Sequence, residues 1–264
     1  MRAGVDSSGR SMAGRRRSVT IVVMRQIAAV VAGTALLVAV TGGCGVDLKA
    51  EEVHAAQSFP FTGTNLKIDA SLGGVRVLPG TGGAVQVERW VRGRAADGPA
   101  WSLREGTLRL SADCSLVFGD CGARYHVKVP PGVRLSIDAA DGIILNDLTQ
   151  DVDAVSRDRI QVTNASGRLR LRSEGSIKGE GLRSGQVRGR TWDGSIDLAF
   201  TDPPATLDLQ SRDGRVTARV PPGAYAVTTA SREGSERSEV TNDRDGARKI
   251  VVRSTTGDVR VLRR

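Results

Sequence analysis

The side chains best suited to chemistry are acidic residues that recur in front of glycine. Asp141, Asp193 and Asp213 each precede a glycine, and Glu174 and Glu233 hold the same position in similar units. β-Helical enzymes that act on carbohydrates display carboxylates on stacked strands, sometimes with Ca²⁺. A catalytic pair needs two different surroundings, whereas a repeated unit gives each acid nearly the same one. We therefore interpret Asp141, Asp193 and Asp213 as turn residues and predict no catalytic residue and no metal site.

Other signatures of catalysis are weak. The two histidines are His54, in a polar segment, and His126, in an alternating strand, and both positions favour a solvated side chain. The chain has no GxSxG elbow, phosphate-binding loop or HExxH motif. We predict that the protein is not an enzyme and needs no cofactor, with a β-helical carbohydrate-active enzyme as the alternative.

The three cysteines fall into two groups. Cys114 and Cys121 flank the short segment SLVFGD, which is close enough for a disulfide in an exported protein. A redox or metal pair is the alternative, but zinc would need more ligands than the nearby His126. Cys44 stands alone after an apolar run.

That apolar run, Ile27–Val40, has fourteen uncharged residues, which is short for a membrane span and typical of a signal peptide. With the small residues before Cys44 it resembles a bacterial lipoprotein signal, although Thr41 stands where that family usually has leucine. The resemblance implies that residues 1–43 are removed and that Cys44 carries the lipid. An uncleaved anchor over Val19–Val40, or simple secretion, are the alternatives.

The charge argues against a nucleic-acid partner. The formal net charge is +9, but residues 1–43 hold six arginines against Asp6 and account for +5 of it, leaving +4 for the rest. A surplus this small, spread along strands, is not the footprint of a nucleic-acid-binding protein.

The elements that would position these residues are strands. Apolar and polar residues alternate in segments such as Gly74–Leu78, Thr107–Ser111 and Gly167–Arg172, which predicts strands with one buried face. Residues 44–60 are predicted to be a tether. Residues 61–264 are predicted to be an all-β domain without amphipathic helices, with residues 61–125 as its less regular opening layer.

The strands repeat. Alternating units open with glycines spaced eight to ten residues apart, or about twice that, namely Gly142, Gly167, Gly175, Gly185, Gly194, Gly214 and Gly257. One unit cannot offset the entropy of ordering its backbone, so the units must stack and share a core, as in a β-solenoid. Leu169 should then point inward and Arg170 outward. We expect the glycines to supply positive φ in the turns and the acids to hydrogen-bond the turn backbone.

A second signature is Val-Pro-Pro-Gly, at 129–132 and again at 220–223, where proline should end one strand and turn the chain into the next. With YHVKVPPGV and the glycine-led units, residues 61–264 resemble the bacterial β-strand-repeat family labelled "putative adhesin", or toastrack. The resemblance implies an extracytoplasmic protein at the outer face of the cell membrane that binds or scaffolds. Its partner would be an envelope polymer or protein. Outward arginines such as Arg109, Arg134 and Arg168 offer contacts to an anionic polymer or lipid headgroups.

Overall fold

The computed structural model describes residues 52–93, 101–112, 114 and 121–264. These residues form 22 strands in two sheets of eleven strands each. The described residues contain no α-helix, and so none that is long and apolar enough to cross a membrane. The apolar run Ile27–Val40 and Cys44 lie outside the described residues. The predicted all-β class is confirmed.

The strands in chain order are β1 (Glu52–Pro60), β2 (Asn65–Ala70), β3 (Gly74–Pro79), β4 (Ala84–Arg92), β5 (Trp101–Arg104), β6 (Thr107–Leu110), β7 (Gly122–Val129), β8 (Arg134–Ala139), β9 (Ile143–Asn146), β10 (Val152–Ser156), β11 (Ile160–Thr163), β12 (Leu169–Ser173), β13 (Ile177–Leu182), β14 (Gln186–Thr191), β15 (Ile196–Phe200), β16 (Thr206–Ser211), β17 (Val216–Val220), β18 (Ala224–Ser231), β19 (Glu236–Ser238), β20 (Thr241–Asn242), β21 (Lys249–Ser254) and β22 (Val259–Arg263).

Two strands joined by a sharp corner make one rung, with one strand in each sheet. Sheet A runs β1-β4-β7-β3-β9-β11-β13-β15-β17-β22-β19, and sheet B runs β5-β6-β2-β8-β10-β12-β14-β16-β21-β18-β20. The parallel rungs β8/β9, β10/β11, β12/β13, β14/β15 and β16/β17 therefore stack in chain order. The last two rungs, β18/β19 and β21/β22, stack in the reverse of their chain order: β21/β22 lies between β16/β17 and β18/β19. This arrangement is the predicted β-solenoid-like stack.

The core lies between the sheets and is built from aliphatic ladders. Leu135, Val152, Leu169, Val187 and Leu207 lie side by side in sheet B, and each is at most 5% exposed. Each fully buried aliphatic side chain contributes about 1.5–3 kcal/mol, and here each contacts the rungs on both sides. The predicted inward position of Leu169 and outward position of Arg170 are both observed.

At the N-terminal end of the stack, some strands pair in antiparallel orientation. β4 pairs antiparallel with β7 and with β1, and β5 pairs antiparallel with β6. β1 falls inside the segment 44–60, so the prediction of a tether is wrong for residues 52–60. The side chains of β1 are mostly exposed, and only Phe59 packs against the core. An edge strand that is held mainly by its backbone shows little of the alternation from which a strand is predicted.

The corners explain why a serine or threonine recurs three residues before a corner glycine, as at Thr191, Ser211 and Ser254. Ser211 Oγ donates a hydrogen bond to the Gly194 carbonyl of the preceding rung, and Ser254 Oγ donates one to Gly214 in the same way, both at 2.8 Å. Thr191 Oγ1 bonds the Gly175 carbonyl at the equivalent place. These hydroxyl groups are buried, so each bond removes a polar group that burial would otherwise leave unsatisfied.

The corner glycines are required for close stacking, not for their φ angle. Of the seven predicted repeat glycines only Gly142 has a positive φ, so the expectation of positive φ is wrong for the other six. A Cβ on Gly194, Gly214 or Gly257 would instead collide with the backbone of a glycine in the adjacent rung. The requirement arises between rungs, which a single turn in the sequence cannot reveal.

The remaining local predictions agree with the structure. Each Val-Pro-Pro-Gly segment ends a strand of sheet A at its valine and leads into a strand of sheet B. Cys114 and Cys121 form a disulfide, with Cα atoms 5.9 Å apart, in the connection between β6 and β7.

Candidate functional site

One corner of the stack carries a line of long side chains. Backbone hydrogen bonds connect Glu174 to Ser156 and Trp192 to Ser173, so that the corners of β10, β12 and β14 follow one another along the stack. The residue after each of these strands is respectively Arg157, Glu174 and Trp192. An arginine, an acid and an indole therefore lie on three successive corners.

A parallel row of side chains lies beside that corner on the outer face of sheet B. Asp138, Val155, Arg172 and Arg190 occupy matching positions on four adjacent strands. The short side chain of Val155 lies between longer ones and leaves a depression, which we call the Trp192 groove. It has a volume of about 650 Å³ and is lined by Asp138, Val155, Ser156, Arg157, Arg172, Ser173, Glu174, Arg190, Thr191, Trp192 and Asp193.

Trp192 is the exposed aromatic side chain of this groove. It is 57% exposed, and the only other large hydrophobic residue counted as exposed in the described part of the chain is Val53. The Arg212 guanidinium lies over the indole, 4.3 Å from the ring centroid. Arg212 belongs to the next rung and does not line the groove, so it supports the ring from outside the groove.

Arg212 is itself held by two carboxylates. It contacts Asp193 at 2.8 Å and Asp213 at 2.6 Å. Two of the predicted turn acids thus share one guanidinium that lies on Trp192. Because both carboxylates have the same ionic partner, the arrangement does not create the contrasting surroundings that an acid–base pair requires.

The other predicted site residues occupy corners of the same kind. Asp141 Oδ2 accepts a 2.6 Å hydrogen bond from the backbone N–H of Gly73, so this acid binds the turn of the neighbouring rung. Glu174 and Asp193 lie on adjacent corners, where the backbone N–H of Asp193 donates a 2.9 Å hydrogen bond to the Glu174 carbonyl. The described residues contain no group of three or more His, Cys, Asp or Glu side chains arranged to hold a metal ion.

A second depression lies on the same face of sheet B, at the other end of β10. It has a volume of about 300 Å³ and is lined by Arg134, Leu135, Asp151, Val152, Asp153, Arg168 and Arg170. Asp151 accepts hydrogen bonds from the backbone N–H of Arg168, at 3.0 Å, and from its guanidinium, at 2.6 Å. These bonds lower the pKa of Asp151, which therefore stays ionised near neutral pH.

Three aspartates on this face are each shared by two arginines. Asp151 pairs with Arg134 and Arg168, Asp153 with Arg170 and Arg172, and Asp208 with Arg188 and Arg190, at distances from 2.6 to 3.9 Å. Each trio carries one net positive charge. The groove adds Asp138, Arg157 and Glu174, which have no ion-pair partner within the described residues.

Sequence reasoning identified Arg134 and Arg168 as outward arginines but missed Trp192, Arg157 and Arg190. A signal for Trp192 was present. The corner sequences Thr-Trp-Asp-Gly, Ser-Arg-Asp-Gly and Ser-Arg-Glu-Gly place tryptophan where the later units have Arg212 and Arg232. A large apolar residue in a position that is otherwise charged indicates a surface with a purpose other than solubility.

The histidines lie away from this groove, on the outer face of sheet A. His54 stacks on Trp90 with ring centroids 4.8 Å apart, and His126 contacts the same indole edge-on at 4.5 Å. Burial lowers the pKa of His126, and Arg76, Arg124 and Lys128 lower it further, against an opposing effect of Glu88. This cluster joins β1 to β4 and β7.

Comparisons with known proteins agree with the fold. No family model and no curated protein matches the sequence. Among solved structures, the chain is similar to a protein from Bacteroides fragilis described as a "putative adhesin", with 12% identity, a TM-score of 0.55, and coverage of 80% of this chain and 97% of that one.

Two further structures give lower scores. They are a "putative adhesin" from Parabacteroides distasonis, with 10% identity, a TM-score of 0.43 and coverage of 80% and 97%, and a "putative cell adhesion protein" from Clostridium sporogenes, with 8% identity, a TM-score of 0.38 and coverage of 81% and 100%. The similarity to the Bacteroides structure supports the architecture of stacked two-strand rungs.

Proposed function

We propose that this chain is an exported, non-enzymatic binding module that acts in the bacterial envelope, in the manner of an adhesin or a scaffold. The observation that carries the proposal is the pairing of Asp193 and Asp213 with one guanidinium that supports the exposed Trp192. Acids used in this way orient a binding surface. Exposed indoles on a rigid scaffold are typical of recognition sites.

The proposal includes attachment to the outer face of the cell membrane through a lipid on Cys44. It rests on the sequence before Cys44, which resembles a lipoprotein signal. Metabolic labelling with a fatty-acid probe should mark the wild-type protein and leave Cys44→Ala unlabelled. Equal labelling of the two proteins would contradict lipidation at this residue, and unlabelled wild type in the membrane fraction would favour the uncleaved anchor.

The non-enzymatic part is tested with envelope polysaccharides. The full chain in detergent micelles is incubated with cell walls freed of lipid, with and without Ca²⁺, and both sedimentation with the walls and release of reducing ends are measured. We expect wild type to sediment with the walls and to release no sugar. The triple variant Asp141→Asn, Asp193→Asn, Asp213→Asn should behave alike, because asparagine still accepts the hydrogen bonds of Gly73 and Arg212.

The alternative remains a β-helical carbohydrate-active enzyme, because Glu174 and Asp193 do lie on adjacent corners. Release of reducing ends by wild type that disappears in a folded triple variant would establish the enzyme and reject the binding module. Sedimentation without any release of sugar supports the module.

A further inference from the structure

The outward strand positions of sheet B carry more cations than carboxylates. They hold ten cations and four carboxylates, namely Lys67, Arg104, Arg109, Arg134, Arg170, Arg172, Arg188, Arg190, Lys249 and Arg253 against Asp69, Asp138, Asp153 and Asp208. A net positive charge on a rigid sheet concentrates ligands of the opposite charge.

The arginines are arranged to leave donors available. A guanidinium has five N–H donors and binds a carboxylate most strongly through two of them. Where two arginines share one aspartate, as Arg170 and Arg172 share Asp153, the acid cannot use all ten donors. The carboxylate of a ligand could therefore accept hydrogen bonds from guanidinium N–H groups that the shared aspartate already orients.

The two depressions are in line along one strand. The smaller one includes Asp153, near the start of β10, and the Trp192 groove includes Val155 and Ser156, at its end. β10 has five residues, which at roughly 3.3 Å per residue extend over about 17 Å. A ligand that occupies both depressions must be linear and several units long.

The indole specifies what kind of unit the ligand contains. A flat exposed ring bordered by charged hydrogen-bonding groups suits a pyranose, whose C–H face stacks on the ring while its hydroxyl groups bond to the rim. Glu174 and Arg157 lack ion-pair partners in the described region and supply an acceptor one corner away from Trp192 and a donor two corners away. A polyanion without sugar rings would have no C–H face to stack on the Trp192 indole.

We propose that the Trp192 groove and the neighbouring depression bind a linear acidic polysaccharide across the outer face of sheet B, from the start of β10 to the corner after β14, with Trp192 stacking on one sugar and Arg172 and Arg190 pairing with its carboxylates. This proposal rests on the proposed function as a binding module and adds the chemical class of the ligand. The aspartate-linked arginines fix the spacing of the ionic contacts, and Trp192 fixes one sugar at the corner.

The test compares three defined polymers by calorimetry or biolayer interferometry, with the full chain in detergent micelles. Polygalacturonate carries both sugar rings and carboxylates, its methyl ester carries the rings without the charge, and polyglutamate carries the charge without the rings. We expect wild type to bind polygalacturonate at least tenfold more tightly than either of the others, and raised salt to weaken that binding.

Two variants with matched controls locate the site. Trp192→Ala should weaken polygalacturonate binding at least tenfold, whereas Arg232→Ala, at the equivalent corner of a distant rung, should not. Arg172→Gln with Arg190→Gln should weaken it similarly. The charge-matched control is Arg219→Gln with Arg237→Gln, in sheet A, which should leave binding within twofold of wild type.

Each contrary result rejects a specific part of the proposal. Methyl ester that binds as tightly as the acid rejects an acidic ligand, and polyglutamate that binds as tightly as polygalacturonate rejects a sugar. Unchanged binding in Trp192→Ala rejects the groove. Failure here is distinguishable from failure of the proposed function, because sedimentation with cell walls does not depend on which polymer is recognised: a protein that sediments but ignores polygalacturonate retains the function and loses only this ligand class.

Discussion

The imidazole of His54 stacks on the indole of Trp90, with ring centroids 4.8 Å apart and planes inclined by 21°. It is one of few side-chain contacts that hold β1 to the rest of the domain, together with the 2.8 Å ion pair of Glu52 and Arg124. β1 lies at the edge of sheet A and is the first described strand after Cys44, so any load on an attached N-terminus would reach this strand first.

We predict that His54→Ala loosens β1 without unfolding the domain. The stacked pair contributes about 0.5–1.5 kcal/mol. Amide hydrogen exchange should therefore become several-fold faster in β1 and stay unchanged in β10–β17. Ser58→Ala, an exposed position on the same strand, is the control and should exchange like wild type. Identical exchange in both variants would mean that backbone pairing alone holds the strand.

The other histidine makes stability depend on pH. The pKa of His126 is lowered from its ordinary value of 6.5 by burial and by Arg76, Arg124 and Lys128, so the unfolded chain binds a proton more readily than the folded one. Its contribution is complete above pH 6.5 and is lost as the pH falls through the folded pKa. Denaturation midpoints should decline over this window.

His126→Gln should flatten this decline, whereas Gln86→Ala, on the exposed face of β4, should retain it. A variant that declines as steeply as wild type between pH 7 and 5 would assign the effect to other groups. The lowered pKa values of Asp151, Glu236 and Asp258 act in the same direction but at lower pH, below the ordinary carboxyl range, so their contribution is separable.

The shared core predicts a sharp contrast between adjacent residues. Leu169 is 1% exposed and lies in register between Val152 and Val187, so Leu169→Ala should lower the unfolding free energy by about 2–5 kcal/mol. Arg170→Ala removes an exposed ion pair with Asp153 and should change it by less than about 1 kcal/mol. Chemical denaturation monitored by circular dichroism decides the matter, and equal losses would disprove the inward and outward assignment.

The corner glycines predict a second contrast. Gly214→Ala would drive a methyl group into the Gly194 backbone and should destabilise by about 1–3 kcal/mol, because neither rung can move apart without breaking its ladder. Gly185→Ala meets no atom within 4 Å and has no positive φ, so it should be neutral or stabilise by about 0.4–1 kcal/mol. A thermal melt of Gly214→Ala that matched that of Gly185→Ala would refute the stacking explanation.

Much of the fold could be predicted because its information is local. Alternation over single segments such as Gly167–Arg172 reveals strands, and recurrence of the unit reveals stacking. The exchange of β18/β19 with β21/β22 could not be predicted, because alternative orders bury the same aliphatic faces. β1 was missed because its pairing depends on the edge of β4, which is far away in the chain.

The candidate site was predicted less completely. The acids could be identified, and Asp141, Asp193 and Asp213 lie at corners between strands, but the relation of Asp193 and Asp213 to Arg212 and Trp192 arises only between rungs. Residues that are nineteen or more positions apart in the chain, such as Asp193 and Arg212, meet because the solenoid brings equivalent corners side by side. To predict that the Trp192 indole lies next to the Arg212 guanidinium, one must know which residues of successive rungs are in register.

Sedimentation with lipid-free cell walls tests whether the Trp192 groove is the binding surface of an envelope module. Wild type, Trp192→Ala and Arg232→Ala are compared at equal concentration in detergent micelles, after their thermal melts have been shown to coincide. We expect the affinity for the walls to fall at least tenfold in Trp192→Ala and to stay within twofold of wild type in Arg232→Ala. Equal sedimentation of all three folded proteins would contradict this expectation.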